Sequence, residues 1–316
     1  MITKLTAFVI GAGANVPYRF SSGKQLLTKA RSLENIRTFM GNAGQQIIQA
    51  DADALGHALK TTMLPSIDLL LEHRQDLWPV GKRLIAALLY QEEGNAVPPE
   101  SDDWMSLVFS RMVEDAKSVE EFGKNPVTFI TFNYDRYLEY RIISALVTHF
   151  NIEPYKAWCA LKNVHFLHVH GSLGNLPEQL PPTSALGSSV PFAAVDTLGI
   201  YTLGYALALA ENTIKIVHDA QSTSSEFANV HKIFMSHDQI LFIGFGFGKK
   251  NMERLAVQNI PRSAKVFCTA LGMTSSEISS YIGGAFPNHP YSVLAPANID
   301  AVTITQFLRD RVPILD

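Results

Sequence analysis

Five continuous runs of apolar and β-branched residues, separated by segments with helical spacing, constrain the fold of this chain most. They are LTAFVIGAGA from Leu5, VTFITFN from Val127, VHFLHVHG from Val164, QILFIGFGFG from Gln239 and KVFCTALG from Lys265. A strand that is apolar along its whole length is buried on both faces of a sheet. Such strands alternating with helices predict an α/β fold, in which a Rossmann-like parallel sheet is flanked by helices.

The segments between these strands predict one domain spanning residues 1–316 with two insertions. Residues from about 45 to 125 contain no convincing strand and show helical patterns separated by prolines, which predicts a helical insertion. A second insertion of loop and helices covers about 174–235. It begins with GNLPEQLPPTSALGSSVPF, which we interpret as a long surface loop and a candidate lid.

Composition excludes several classes of protein. The formal net charge is -3 and no long basic run occurs, which argues against binding of nucleic acid by a dominant electrostatic patch. The two cysteines, Cys159 and Cys268, lie in unrelated contexts, so neither a zinc ribbon nor a disulfide framework is predicted. No apolar run has the length of a signal peptide or a membrane span. We therefore expect a cytoplasmic protein without a membrane partner.

Polar residues and glycines follow four of the five predicted strands. In parallel sheets covered by helices, ligands bind at the carboxyl ends of the strands. Turn chemistry alone does not predict this many such residues at strand ends, so we expect a ligand site there. The four segments are Gly11–Asn15, Asn133–Asp135, His170–Ser172 and Gly244–Gly248.

Each of these motifs also has a purely structural explanation. The GAGAN turn lets a phosphate approach the backbone closely, but it can equally be a tight turn without a ligand. Asn133 and Asp135 can orient water or a ribose hydroxyl, or cap the following helix. His168 is interpreted as a hydrogen-bonded core histidine rather than a metal ligand. His170, at a strand end, is a candidate base.

Three further side chains have open interpretations. Lys249 and Lys250 follow the second glycine-rich turn and either lie near a phosphate or are solvated surface lysines. Asp68, in SIDLLLE, either caps a helix or faces the cleft, and the cap is slightly favoured.

The order of these motifs resembles the sirtuin-like family. GAG after the first strand, FNYD after a middle strand, HG after the next and GFGFG near the end are similar to its motifs. SSGKQLL and SIDLLLE are more similar to the bacterial, zinc-free branch that hydrolyses NAD in antiviral defence.

This resemblance implies roles for individual residues. Asn133, Asp135 and His170 would be catalytic: the first two face the nicotinamide ribose, and the histidine is the general base. The NAD-binding residues implied around them are Gly11, Ala12, Gly13 and Asn15 at the pyrophosphate and adjacent ribose, Ser172 beside the HG motif, and Gly244, Gly246 and Phe247 at the adenosine half.

Departures from the family pattern favour NAD cleavage over peptide deacylation. Two lone cysteines cannot build the four-cysteine zinc module of deacylating sirtuins, so no metal is expected. Phe132 stands where sirtuins have glutamine, and NVPYRFSSGK replaces the segment after the first turn.

The predicted activity is therefore hydrolysis of the nicotinamide–ribose bond, with NAD as substrate. A non-catalytic NAD or ADP-ribose sensor is the alternative, and a protein deacylase or ADP-ribosyltransferase is the third class. By analogy with the family we expect a homo-oligomer, with a separately encoded sensor or an ATPase or helicase subunit as a candidate partner.

Overall fold

The chain folds around a parallel β-sheet with the Rossmann strand order. The structure is a computed structural model that describes residues 1–41, 47–185, 188–193, 199–216, 224–286, 291–293 and 302–312. Six strands pair in parallel in the order β3-β2-β1-β4-β5-β6. Their bounds are β1 Thr6–Ile10, β2 Val127–Thr131, β3 Val164–His168, β4 Gln239–Ile243, β5 Lys265–Cys268 and β6 Tyr291–Val293.

Helices connect the strands and cover the sheet. Those between β1 and β2 are α1 Gly23–Ser32, α2 Ile36–Phe39, α3 Gln49–Thr61, α4 Ile67–His73, α5 Trp78–Gly94, α6 Trp104–Val113 and α7 Val119–Phe122. Those after β2 are α8 Tyr137–Phe150, α9 Pro154–Ala160, α10 Gly199–Thr213, α11 Ser224–Ser236, α12 Lys249–Leu255, α13 Ser275–Glu277, which continues into a π-helix at Ile278–Gly283, and α14 Ile304–Arg311.

The apolar residues form two separate cores. The first, which we call the sheet core, contains the strands with α6–α9, α11, α12 and α14. The second, the helical core, joins α1 and α3–α5 to α10 and also contains Tyr134, Leu173 and Val190 from the loops that leave β2 and β3. The predicted helical insertion is thus divided, because α3–α5 pack in the helical core whereas α6 and α7 pack on the sheet.

The fold class predicted from the sequence is confirmed, and all five predicted strands are present. The sixth strand was not predicted, because three residues are too few to show a pattern. In the part of the chain that the structure describes, no helix is long and apolar enough to cross a membrane.

The described ends of the proline-rich loop are fixed to the protein body. The guanidinium of Arg136 donates to the carbonyl oxygens of Val190 at 2.5 Å and Pro191 at 3.2 Å. Its Nη1 also lies 3.5 Å from the carbonyl oxygen of Asn175. The ring of Phe192 stacks on Tyr140 with centroids 4.0 Å apart. The described ends of the predicted lid therefore lie against the protein body, while whether the loop acts as a lid stays a prediction.

Candidate functional site

The glycine-rich loops after β1 and β4 interlock at the point where the strand order reverses. Gly11 N–H donates to the carbonyl of Ile243, and Gly13 N–H donates to that of Gly244, both at 3.0 Å. The order β3-β2-β1-β4-β5-β6 places the reversal between β1 and β4, which is where this fold class binds ligands. The two loops therefore form the floor of the expected site.

This contact explains the glycines at three positions. A Cβ on Gly11 would lie 2.5 Å from the Gly244 carbonyl oxygen, and one on Gly13 would lie 2.9 Å from it. Gly244 has φ +56, and its Cβ would lie 2.0 Å from the amide nitrogen of Ala14. Ala14 and Asn15 donate their N–H groups to Gly11 and Ala12 within the turn. Close loop packing thus accounts for these glycines, and the predicted pyrophosphate contact stays a prediction.

Gly246 differs from these three glycines. It is exposed, and no atom lies within 4 Å of the position of its Cβ. The ring of Phe247 is only 1% exposed and packs against Phe245 and Phe242, although its backbone has φ 50. Of the β4 loop residues predicted to contact adenosine, Gly246 is thus open to solvent, whereas Phe247 can offer a ligand only its backbone.

The end of β2 brings Asp135 against Asn15, which is 120 residues away in sequence. Asn15 Nδ2 donates to both carboxylate oxygens of Asp135 at 2.9 Å, and both residues are buried. Asp135 also accepts from the N–H of Tyr137 at 3.2 Å, in the first turn of α8. The N-cap of α8 is Arg136, so neither Asn133 nor Asp135 is the helix cap, although Asp135 accepts from the first N–H of the helix. The buried Asn15 Oδ1 has no hydrogen-bond partner among the described residues.

The backbone of Asn133 is held by a histidine. His168 approaches the Asn133 carbonyl oxygen with Nδ1 at 2.9 Å and Glu139 Oε1 with Nε2 at 2.5 Å. Burial lowers the pKa of His168, but Glu139 and the Asn133 carbonyl outweigh it, so that the pKa lies above its usual value. When the ring is protonated, both of its nitrogens donate in these two contacts. The core interpretation of His168 is confirmed, and Asn133 keeps its side chain at the cavity, with Nδ2 3.3 Å from the Gly11 carbonyl.

His170 lies in an aromatic environment beyond the end of β3. Its ring makes edge contacts with Phe132 at 5.3 Å and Phe227 at 6.0 Å, and its buried Nδ1 has no partner among the described residues. Burial, assisted by the charge of Arg254, lowers the pKa of His170 to about 4. The imidazole is therefore neutral at pH 7, and the residue lines the larger of the two cavities described below.

Two adjoining cavities lie between the sheet core and the helical core. The larger has a volume of about 460 Å³, within the range of small-molecule sites, and the smaller about 90 Å³. Both are bounded by Gly23, Asp68, Phe132 and Tyr134. The predicted residues His170 and Lys250 line the larger cavity with Lys249, whereas the smaller one is lined by Ala12, Asn15, Asn133 and Asp135.

Ser172 lines neither of these two cavities. Its hydroxyl accepts from the N–H of Gly174 at 3.3 Å, and its carbonyl accepts from the Thr213 hydroxyl at 2.6 Å. Its predicted contact with a ligand stays a prediction.

Helix α4 provides cavity residues whose role was not predicted. Ser66 is the N-cap, because its side chain accepts from the N–H of Leu69, so the slight preference for Asp68 as the cap was wrong. Asp68 instead accepts from the hydroxyl of Tyr134 at 2.6 Å. One turn later, Glu72 is buried and pairs with Lys250 at 2.6 Å. Ser66 itself, the first residue of SIDLLLE, was the available signal, since serine is a strong N-cap.

The pKa of Asp135 leads to a prediction about stability. Burial raises it to about 7, with the Glu93 and Glu139 carboxylates adding to the shift and the Tyr137 and Asn15 donors opposing it. Between about pH 4 and pH 7 the folded protein keeps a proton that the unfolded chain has lost, so this group makes folding less favourable as the pH rises. Relative to Asp135→Asn, we expect wild type to lose about 2 kcal/mol of unfolding free energy between pH 5 and pH 7.

Chemical denaturation of both proteins at several pH values tests this expectation. His170 acts in the opposite direction, since its lowered pKa favours folding as the pH rises from about 4 to about 6.5. Both proteins retain His170, so its contribution cancels in the difference. If the unfolding free energies of wild type and Asp135→Asn change in parallel between pH 5 and pH 7, that result would contradict a raised pKa for Asp135.

Among the residues in the described ranges, no three His, Cys, Asp or Glu side chains are grouped so as to hold a metal ion. The sequence matches no model of a known protein family, and comparison with curated proteins gives no match either. Functional inference therefore rests on the site itself.

Proposed function

We propose that this protein is an NAD hydrolase, which cleaves the nicotinamide–ribose bond to give nicotinamide and ADP-ribose. The observation that carries the proposal is the convergence of four strand ends on one pair of cavities. The sirtuin-like resemblance selects three residues as catalytic: Asn133 and Asp135 from the loop after β2, and His170 from the segment after β3. All three line these adjoining cavities.

The residues present suit the chemistry of this reaction. Nicotinamide is a good leaving group, so the site needs to stabilise an oxocarbenium-like ribose and to deliver water to its anomeric carbon. The neutral His170, which lines the larger cavity, contacts a ribose hydroxyl, and Asn133 positions the sugar or the water. The Asp135 carboxyl, held by Asn15, receives the carboxamide or stabilises positive charge on the sugar.

Incubation of the pure protein with NAD tests the proposal, with nicotinamide and ADP-ribose followed by chromatography. We expect release of both products, lost in Asn133→Ala and reduced by about 10²–10⁴-fold in His170→Ala. His165→Ala is a matched control, because His165 lies exposed on β3, the strand that precedes His170. A folded His170→Ala protein with full activity would remove the histidine from the mechanism.

One observation favours a non-catalytic sensor as the second candidate. A base whose pKa is about 4 takes up a proton only weakly at neutral pH. For a sensor, calorimetry should detect binding of NAD or ADP-ribose while chromatography detects no product.

The biological role and the partners of the protein are part of the same proposal. The zinc-free bacterial branch suggests an NAD-depleting effector of antiviral defence that assembles as a homo-oligomer with a sensor, ATPase or helicase subunit. These partners stay predictions.

A further inference from the structure

We propose that Asp68 is a further catalytic residue, whose carboxylate takes the proton from the water that attacks the ribose. This inference rests on the proposed hydrolase function and adds to it a residue that the resemblance does not assign.

The position of Asp68 in the cleft is the first argument. Helix α4 belongs to the helical core and forms the roof of the cleft above the strand ends. Asp68 lies in the first turn of α4 and lines the cleft, and the Tyr134 hydroxyl donates to its Oδ1 at 2.6 Å. Of the acidic residues that line the two cavities in the described part of the chain, only Asp68 lines both. A water between the cavities would therefore lie beside this carboxylate.

The other candidate bases either already accept several hydrogen bonds, are ion-paired, or are only weakly basic. Both oxygens of Asp135 accept from Asn15, and one also accepts from the Tyr137 backbone. The buried Glu72 carboxylate is paired with Lys250. His170 is neutral with a low pKa. Asp68 has one oxygen fixed by a neutral phenol, which orients the carboxylate without neutralising it.

The chemical environment of Asp68 suits a base. Burial raises the pKa of its carboxyl above the usual value, and the Tyr134 hydrogen bond only partly opposes this shift. A carboxylate with a raised pKa is a stronger base than an exposed one.

The proposed step conserves atoms and charge. The bond between the ribose anomeric carbon and the nicotinamide nitrogen breaks, and its electron pair stays on the ring, which leaves as neutral nicotinamide. The water oxygen forms the new bond to the anomeric carbon. Its proton passes to the Asp68 carboxylate and then to solvent, so each NAD consumes one water and releases one proton.

Asp68→Asn is the principal test, because its amide oxygen can still accept from Tyr134 while the basic group is gone. We expect a reduction in kcat of about 100-fold or more with little change in ADP-ribose affinity. Azide is a nucleophile that carries no proton to remove. It should therefore restore nicotinamide release by Asp68→Asn, with an azide adduct of ADP-ribose as the second product.

Three further variants separate a catalytic from a structural role. Asp68→Glu keeps a carboxylate and should retain more activity than Asp68→Asn. Tyr134→Phe removes the orienting hydroxyl and Glu72→Gln removes the neighbouring carboxylate. Azide should not restore any activity that is lost in Tyr134→Phe or in Glu72→Gln. All are compared as folded proteins whose thermal unfolding matches that of wild type.

The outcomes also distinguish this inference from the function on which it rests. Full activity in Asp68→Asn, or a loss that azide does not restore, would overturn the role of Asp68 and leave the hydrolase intact if wild type releases nicotinamide. Wild type that binds NAD without releasing nicotinamide would overturn both proposals.

Discussion

Gly244→Ala should destabilise the fold by about 4 kcal/mol, a large part of the stability of an ordinary domain. Two costs combine in this value. The backbone at Gly244 has φ +56, a conformation that alanine adopts only with strain, and the new Cβ would lie 2.0 Å from the Ala14 amide nitrogen. Neither loop can move away easily, because hydrogen bonds from Gly11 and Gly13 join them.

Gly246→Ala is the matched control in the same loop. No atom lies within 4 Å of its Cβ position, so we expect its unfolding free energy to stay close to that of wild type. Urea denaturation of the two variants measures the contrast. If Gly244→Ala were as stable as Gly246→Ala, the interlocked geometry of the loops would be wrong.

Glu93→Ala should also destabilise the protein strongly, by about 3–5 kcal/mol. Glu93 and Arg136 are each 1% exposed and form a bidentate pair, with Nε–Oε1 at 3.1 Å and Nη2–Oε2 at 2.6 Å. Removing the carboxylate leaves a guanidinium charge buried against Tyr90 and backbone carbonyls. That charge stays ionised, because arginine does not lose its proton in proteins.

The double variant Glu93→Leu with Arg136→Met tests whether the unpaired charge causes the loss. Replacing both members with apolar residues of similar volume removes the buried charge, so the double variant should be more stable than Glu93→Ala. Denaturation of the single and double variants gives the comparison. A double variant that is less stable than Glu93→Ala would show that the anchoring of the 175–191 loop outweighs the buried charge.

The sequence predicted the sheet well because β1, β2 and β4 are buried on both faces and therefore mainly apolar, a pattern that depends on local residues alone. It also located the strand ends, and so the cleft, because glycine and amide residues interrupt those apolar runs. The bonding partners of the site residues could not be predicted in this way. Asn15 bonds Asp135 across 120 positions, and Asp68 reaches Tyr134 across 66, so neither contact leaves a local pattern.

The glycines illustrate a different limit. A glycine in a turn is compatible either with a nearby ligand or with another nearby backbone, and the sequence motif is the same in both cases. At Gly11 and Gly13 the neighbour is the loop of a strand more than 200 residues later, whereas at Gly246 it is solvent. Only the packing of the two loops separates these cases.

The division into two cores has a mechanical consequence for the cleft. Polar contacts cross the seam between the two cores, among them the pair of Lys250 with Glu72 and the pair of Arg136 with Glu93. Sliding the helical layer away from the sheet breaks polar contacts at the seam but leaves the packing inside each core intact. A ligand in the cleft adds a further contact, so filling the site stiffens the join between two bodies that are otherwise separately held together.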